Sequence, residues 1–180
     1  TIVIPTHNRN SVLYKTLNRI QRDVSNDTEV IVIDDYSDVP VNSSIISFFT
    51  EIKIRLIRMN KKSGASKCRN IGAEFATNEW IAFFDDDDYW LIGRNTYLSK
   101  LTENLTRKKH LIVSSFIKIS FFNIPKINYR KATLKNLEIK NNLGGCSCIF
   151  IKKSFFKKLN GFDEKLLSCQ DWDLYLRAQR

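Results

Sequence analysis

The sequence has no stretch approaching the roughly 20 consecutive apolar residues that a membrane-spanning helix needs. Its opening, "TIVIPTHNR", also lacks the basic and small-residue parts of a secretory signal. We therefore expect a soluble, cytoplasmic protein. Four cysteines are present, Cys68, Cys146, Cys148 and Cys169, as one C-x-C and two singles. That spacing matches neither a zinc site nor a secreted disulfide framework, so free thiols are expected. A P-loop is absent, and so is G-x-G-x-x-G, which removes the two common glycine-rich ways of cradling phosphate. Internal repeats, a low-complexity linker and an initiator Met are missing too. The first residues read as a buried strand and the last as an unfinished helix. One domain over residues 1–180, cut short at its C-terminus, is the expectation.

What is present is enough for a core: 43% of the 180 residues are hydrophobic and 12% aromatic. The net charge of +10 comes in short clusters, Lys61-Lys62, Arg107-Lys108-Lys109, Lys152-Lys153 and Lys157-Lys158. Such a field attracts nucleic acid, an anionic membrane or a phosphate-rich substrate, and charge alone does not choose among them.

Apolar runs alternate with helical periodicity along the chain. Ile2 to Ile4 is a short strand, and Leu13, Leu17, Ile20 and Val24 then recur at helical spacing. "EVIVIDD" is continuous and β-branched, as in a parallel sheet covered on both faces. "IKIRLIRM" is a third strand, and Ala65, Cys68, Gly72 and Phe75 mark a second helix. "EWIAFFD" and "LIVSSFIKI" are further strands, separated by a helix with Tyr97, Leu98, Leu101 and Leu105 on one side. Phe121 to Asn142 is basic and irregular. "GGCSCIFIKK" resumes as a strand, "SFFKKL" is a short helix stopping near Gly161, and a last helix begins near Trp172. The pattern implies an α/β fold, Rossmann-like, with a mostly parallel sheet and helices on both faces.

Three apolar runs end in polar groups: Ile4 leads to Thr6-His7-Asn8-Arg9, Ile33 to Asp34-Asp35, and Phe84 to Asp85 through Asp88. All are strand exits, and in an open parallel sheet the carboxyl ends of strands line the ligand crevice. Two carboxylates about 4 Å apart repel by roughly 4 kcal/mol at an effective dielectric near 20. Something must offset that repulsion in "FFDDDDYW". A hard divalent cation, Mg²⁺ or Mn²⁺, takes oxygen ligands from one or two carboxylates plus substrate phosphates. The alternative is a solvated acidic turn capping the following helix. A calcium loop fits less well than either, because the Gly of its sharp turn and its distal Glu are missing.

The segments "TIVIPTHNR", "EVIVIDDYSD", "SGASKCRNIGAEFATNEWIAFFDDDDYW" and "GCSCIFIKKSFFKKLNGFDEKLLSCQDWDLYLR" together resemble family-two glycosyltransferases with the GT-A fold, over nearly the whole chain. The resemblance implies a nucleotide-sugar donor, most often a UDP-sugar, and inverting transfer to a hydroxyl of a growing glycan. By position, Pro5 and Thr6 shape the nucleotide pocket, Asp35 hydrogen-bonds the base, and Arg69 lies near the base or diphosphate. Asp85-Asp86-Asp87 takes the place of the family's D-x-D. There Asp85 contacts the ribose or a metal-bound water, Asp87 ligates the metal, and the acidic Asp86 and Asp88 leave a shift by one residue open. In "CQDWD", Asp171 inherits the role of catalytic base, with Gln170 where the family has Glu and Asp173 as the fallback.

The chemistry fits those residue types. A carboxylate that takes the acceptor's proton contributes roughly 10²- to 10⁴-fold, and a Lewis acid stabilises the departing diphosphate. His7, Trp90 and Trp172 are lesser candidates for touching donor or acceptor. The expected partners are a nucleotide-sugar donor and a glycan or lipid-linked acceptor of a bacterial surface polysaccharide such as lipopolysaccharide or capsule. Peripheral association with the anionic inner face of the cytoplasmic membrane is also expected, and nucleic acid is not. Rival readings are a nucleotidyltransferase, whose Gly- and Lys-rich phosphate loop is missing, and a basic nucleic-acid-binding module, against which the acidic run argues.

Overall fold

The computed structural model describes residues 1–103, 110–114, 117–120, 123–127 and 134–180. The apolar runs near the N-terminus form β1 (Ile2–Thr6) and β2 (Glu29–Asp34), buried along almost their whole length. They are followed by β3 (Lys53–Arg58), which alternates more, and β4 (Trp80–Phe83). Further strands are β5 (Leu111–Val113), β6 (Ile117–Ser120), β7 (Asn123–Ile127) and β8 (Ile149–Lys152). The main sheet has the order β3-β2-β1-β4-β8-β5, and β6 pairs with β7 separately. Strands β1 to β4 run parallel, while β8 is antiparallel to β4 and β5. After β3 the chain crosses to the other side of β1, so the strand order reverses between β1 and β4. That reversal opens a crevice beyond their carboxyl ends.

The helices are α1 (Asn10–Ile20), α2 (Ser43–Ile46), α3 (Ala65–Phe75), α4 (Arg94–Glu103), α5 (Leu134–Ile139), α6 (Lys153–Lys158) and α7 (Gln170–Gln179), with a 3-10 turn at Cys146–Cys148. Side chains of the central strands alternate between two apolar layers, as a period of two requires. Ile2, Ile4, Val30, Val32, Ala82 and Phe84 pack with Leu13, Leu17 and Ile20 of α1. Val3, Ile31, Ile33, Ile81 and Phe83 face the other way, onto Cys68 and Ala73 of α3, Phe156 of α6, and Leu174 and Tyr175 of α7. The expected α/β sheet with helices on both faces is therefore present. Helix α3 lies very close to β1, because a Cβ on Gly72 would sit 2.3 Å from Val3 Cγ1.

Several expectations shift in detail. Helix α1 stops at Ile20, and Val24 packs against the same layer from beyond it. Local bonds from Arg22 N–H to the Arg19 carbonyl and from Asp23 N–H to the Ile20 carbonyl end the helix, and the Asp23 carboxylate accepts from Gly93 N–H (2.7 Å) and Asn95 N–H (3.1 Å). "LIVSSFIKI" is two strands in two different sheets. The segment read as irregular contributes β7 and α5. Leu105 and the Arg107-Lys108-Lys109 cluster lie outside the described residues. Cys68, Cys146, Cys148 and Cys169 are all free, and no helix among the described residues is long and apolar enough to cross a membrane.

Candidate active site

The exits of β1, β2 and β4 meet at one edge of the sheet. After β1 the chain turns through Asn8, whose φ of 55° suits Asn better than most residues. After β2 the two aspartates diverge. Asp34 accepts from the Ser37 and Val41 N–H groups (2.9 and 3.2 Å) and from Arg58 (2.7 Å), and so holds the turn. Asp35 accepts from Ser63 N–H (2.7 Å) and Gly64 N–H (2.8 Å), which ties β2 to the start of α3. Gly64 has φ +88°, a conformation that L side chains rarely adopt. His7 Nδ1 lies 2.9 Å from the Asp35 carbonyl oxygen and donates to it.

The four carboxylates after β4 are spread over several partners, with Asp86 and Asp87 sharing one arginine. Asp85 pairs with Arg69, and its N–H donates to Ser147 Oγ at 2.9 Å. Asp86 turns inward, accepting from Thr6 Oγ1 (2.6 Å) and Arg9 Nη1 (3.0 Å), while Thr16 Oγ1 donates to its carbonyl (2.9 Å). Asp87 stays half-exposed and pairs with the same Arg9 nitrogen at 2.6 Å. Burial pushes the Asp86 carboxyl above its ordinary range, against the opposing pull of Thr6 and Arg9. Burial also raises Asp88, against the Ser147 hydroxyl. Two arginines thus offset much of the repulsion that the run creates.

An open cleft of about 390 Å³ lies over this edge. It gathers Pro5, Thr6, Asp35, Arg69, Asp85, Asp86 and Asp87, every donor-side residue expected from the sequence, and adds His7, Arg9 and Lys62. Arg69 is only 5% exposed. Its Nε and Nη1 have no hydrogen-bond partner among the described residues, so the cleft wall holds unsatisfied donors.

Asp171 does not line that cleft. It sits in the first turn of α7, its Oδ2 accepting from Asn141 Nδ2 at 2.7 Å, and its charge is felt by Arg69 and by Cys146. The Cys146 thiol is pushed up to about 12, by burial first. Asp173 is occupied by Arg177 four residues on, at 2.6 Å. Trp90 packs at a tilt against Phe84, lies under Arg94 and donates to the Ser147 carbonyl, and Trp172 donates to the Leu137 carbonyl. Both indole N–H groups are therefore committed to the fold. Arg9 was among the strand-exit groups read from sequence but was given no role there, and Ser147 and Asn141 were missed; "KNNLGG" carries no signal that singles out Asn141.

Residues 1–162 match the family model described as "Glycosyl transferase family 2". The chain belongs to this family. Among curated proteins it is similar to the amylovoran biosynthesis glycosyltransferase AmsB of Erwinia amylovora, 27% identical over 100% of the chain and 64% of that protein. It is also 24% identical, over 98% of the chain and 68% of that protein, to the Escherichia coli UDP-Glc:alpha-D-GlcNAc-diphosphoundecaprenol beta-1,3-glucosyltransferase WfgD. The chain thus spans about two thirds of these glycosyltransferases. Among solved structures, S. aureus TarS 1-349 in complex with UDP-GlcNAc superposes with a TM-score of 0.79 at 19% identity, over 99% of the chain and 52% of that structure. This likeness bears out the GT-A-like fold.

Proposed function

We propose that the cleft binds a nucleotide-sugar, most simply a UDP-sugar, and that the domain transfers its sugar with inversion to a hydroxyl of a glycan or lipid-linked acceptor. The observation that carries this reading is the convergence on one cleft of Pro5, Thr6, Asp35, Asp85, Asp86 and Asp87 from three separate strand exits and of Arg69 from α3. Family membership supports transfer to polysaccharide. The UDP-Glc donor and diphosphoundecaprenol acceptor in the name of WfgD, and the UDP-GlcNAc in the TarS complex, support the nucleotide and the lipid-linked acceptor.

The residues divide the work. Pro5 and Thr6 shape the floor under the nucleotide, and Asp35, fixed by the Ser63 and Gly64 amides, has lone pairs left for a base N–H. Arg69, at the cleft wall, brings its guanidinium charge to the phosphate oxygens, a charge-assisted interaction. A divalent cation, Mn²⁺ or Mg²⁺, suits the donor set: Asp87, with Asp85 beside it, supplies hard oxygen ligands at the cleft. Among the described residues no three His, Cys, Asp or Glu side chains converge as a metal cage, so these carboxylates would hold the cation only together with the donor's phosphates. When bound, the cation stabilises charge on the leaving diphosphate. Asp86 keeps Thr6 and Arg9 in place. Asp171, oriented by Asn141, takes the acceptor proton through Oδ1, and with a single base and direct displacement the anomeric centre inverts.

Calorimetric titration of UDP into wild type and Asp87→Ala, with and without Mn²⁺, tests this reading. Mn²⁺-dependent binding in the wild type that weakens at least tenfold in the variant is the expected result. Equal binding by both proteins removes Asp87 from the donor site, and no binding of UDP by either refutes the uridine nucleotide.

A further inference from the structure

Four of the exposed large apolar side chains among the described residues fall in one nine-residue stretch immediately after the acidic run: Tyr89 (60% exposed), Leu91 (63%), Ile92 (77%) and Tyr97 (65%). The stretch is not slack. Trp90 packs inward against Phe84, Gly93 and Asn95 donate to the Asp23 carboxylate, and Tyr97 N–H donates to the Gly93 carbonyl at 2.9 Å. Leu91 and Ile92 are therefore held outward at the tip of a pinned turn. A solvent-facing pair of large aliphatic residues at a fixed tip has no role in the core, and contiguous exposed apolar surface marks a contact site.

The charge beside it is positive. Lys15, Arg19 and Arg22 are exposed and spaced along α1 and its end, at intervals that share one helix face. Arg19 lies over the Tyr89 ring at 4.5 Å, and Arg19, Arg22, Tyr89 and Ile92 rim one hollow of about 60 Å³. The Asp23 carboxylate in this neighbourhood is engaged by the two loop amides. Apolar side chains at a tip, tyrosines behind them and a basic strip alongside form the combination that seats a protein on an anionic bilayer: the aliphatic groups enter the headgroup boundary, the tyrosines sit at its level, and the cations meet lipid phosphate.

We infer that the Tyr89–Tyr97 turn and the Lys15-Arg19-Arg22 strip form a docking surface for an anionic lipid bilayer. Because the turn continues the acidic run without a break, docking there brings the cleft to the membrane that carries a lipid-linked acceptor; this meaning of the contact rests on the glycosyl-transfer reading. The contact itself is independent of it.

Co-sedimentation of the chain with vesicles of phosphatidylglycerol and phosphatidylethanolamine, and with vesicles of phosphatidylcholine alone, is the test. Wild type partitions into the anionic vesicles and loses most of that binding in high salt. Leu91→Ser/Ile92→Ser lowers the partition coefficient at least about tenfold. Lys15→Gln/Arg19→Gln/Arg22→Gln brings anionic and neutral vesicles to the same weak level. Circular dichroism and UDP titration run on the same variants keep the two readings apart: normal UDP binding with lost partitioning is the expected pattern. Partitioning by a wild type that binds no UDP leaves the surface standing and removes the donor reading. Failure of wild type to bind anionic vesicles, equal partitioning by the Leu91/Ile92 variant, or a wild-type dimer that this variant dissolves, each overturns the inference.

Discussion

Asp34 and Asp35 are adjacent, and the alternation of a strand gives them different work. Asp34 is 1% exposed and holds the turn after β2. Burial would raise its pKa, but the bonds from Ser37, Val41 and Arg58 outweigh burial and hold the carboxyl below its ordinary value. A carboxylate depressed in the folded state contributes stability that is complete above its unfolded pKa of about 3.9 and is lost as pH falls through the folded value. Asp34→Asn, which loses the charge and not the shape, is expected to cost about 2–3 kcal/mol at neutral pH. In urea unfolding, the gap between wild type and variant should be constant from pH 7 to about pH 5 and narrow below about pH 4. A gap that does not change with pH would show that the charge is not what holds the turn. Strand-exit aspartates were legible because apolar runs end visibly in the sequence. What the sequence did not carry was their division of labour, since that depends on Arg9, Arg58, Arg69 and Asn141, which approach from other elements.

Helix α3 carries Arg69 to the cleft, and its distance from β1 is set by one missing methyl group. Gly72 faces Val3, and an alanine Cβ would meet Val3 Cγ1 at 2.3 Å. Alanine gains about 1 kcal/mol in helix propensity over glycine, whereas overpacking a core costs about 1–3 kcal/mol. Because the contact is with the stem of a short, stiff side chain, overpacking is expected to win. Gly72→Ala should lower Tm by about 2–8 °C in a domain of this size. Val3→Ala combined with it should relieve the clash, giving a favourable coupling energy in a double-mutant cycle. Additive effects would mean that α3 simply moves aside. At this scale the parallel half of the sheet was legible, because β1, β2 and β4 are short apolar runs with a polar exit. The direction of β8 was not, since the apolar run Ile149-Phe150-Ile151 looks the same run either way. The split of "LIVSSFIKI" between two sheets was equally hidden, because nothing in an apolar string marks where one sheet ends.

The cleft draws its walls from residues as far apart as Pro5 and Asp87, so a ligand bound there is linked to the folding of the whole domain. The site already holds an Asp86 carboxyl that burial disfavours and a nearly buried Arg69 paired with Asp85. A ligand that binds only the folded chain stabilises it by about 2.7 kcal/mol at a hundred times its Kd. For a domain of this length that corresponds to a rise in Tm of about 5–10 °C. UDP with Mn²⁺ is expected to produce this rise, and UDP alone a smaller one. In Asp87→Ala the difference between the two conditions should vanish, while the smaller rise from base and Arg69 contacts persists. If Mn²⁺ adds nothing to wild type at saturating UDP, then Arg9 and Arg69 neutralise the diphosphate by themselves, and the acidic run serves to position those two arginines rather than to hold a cation.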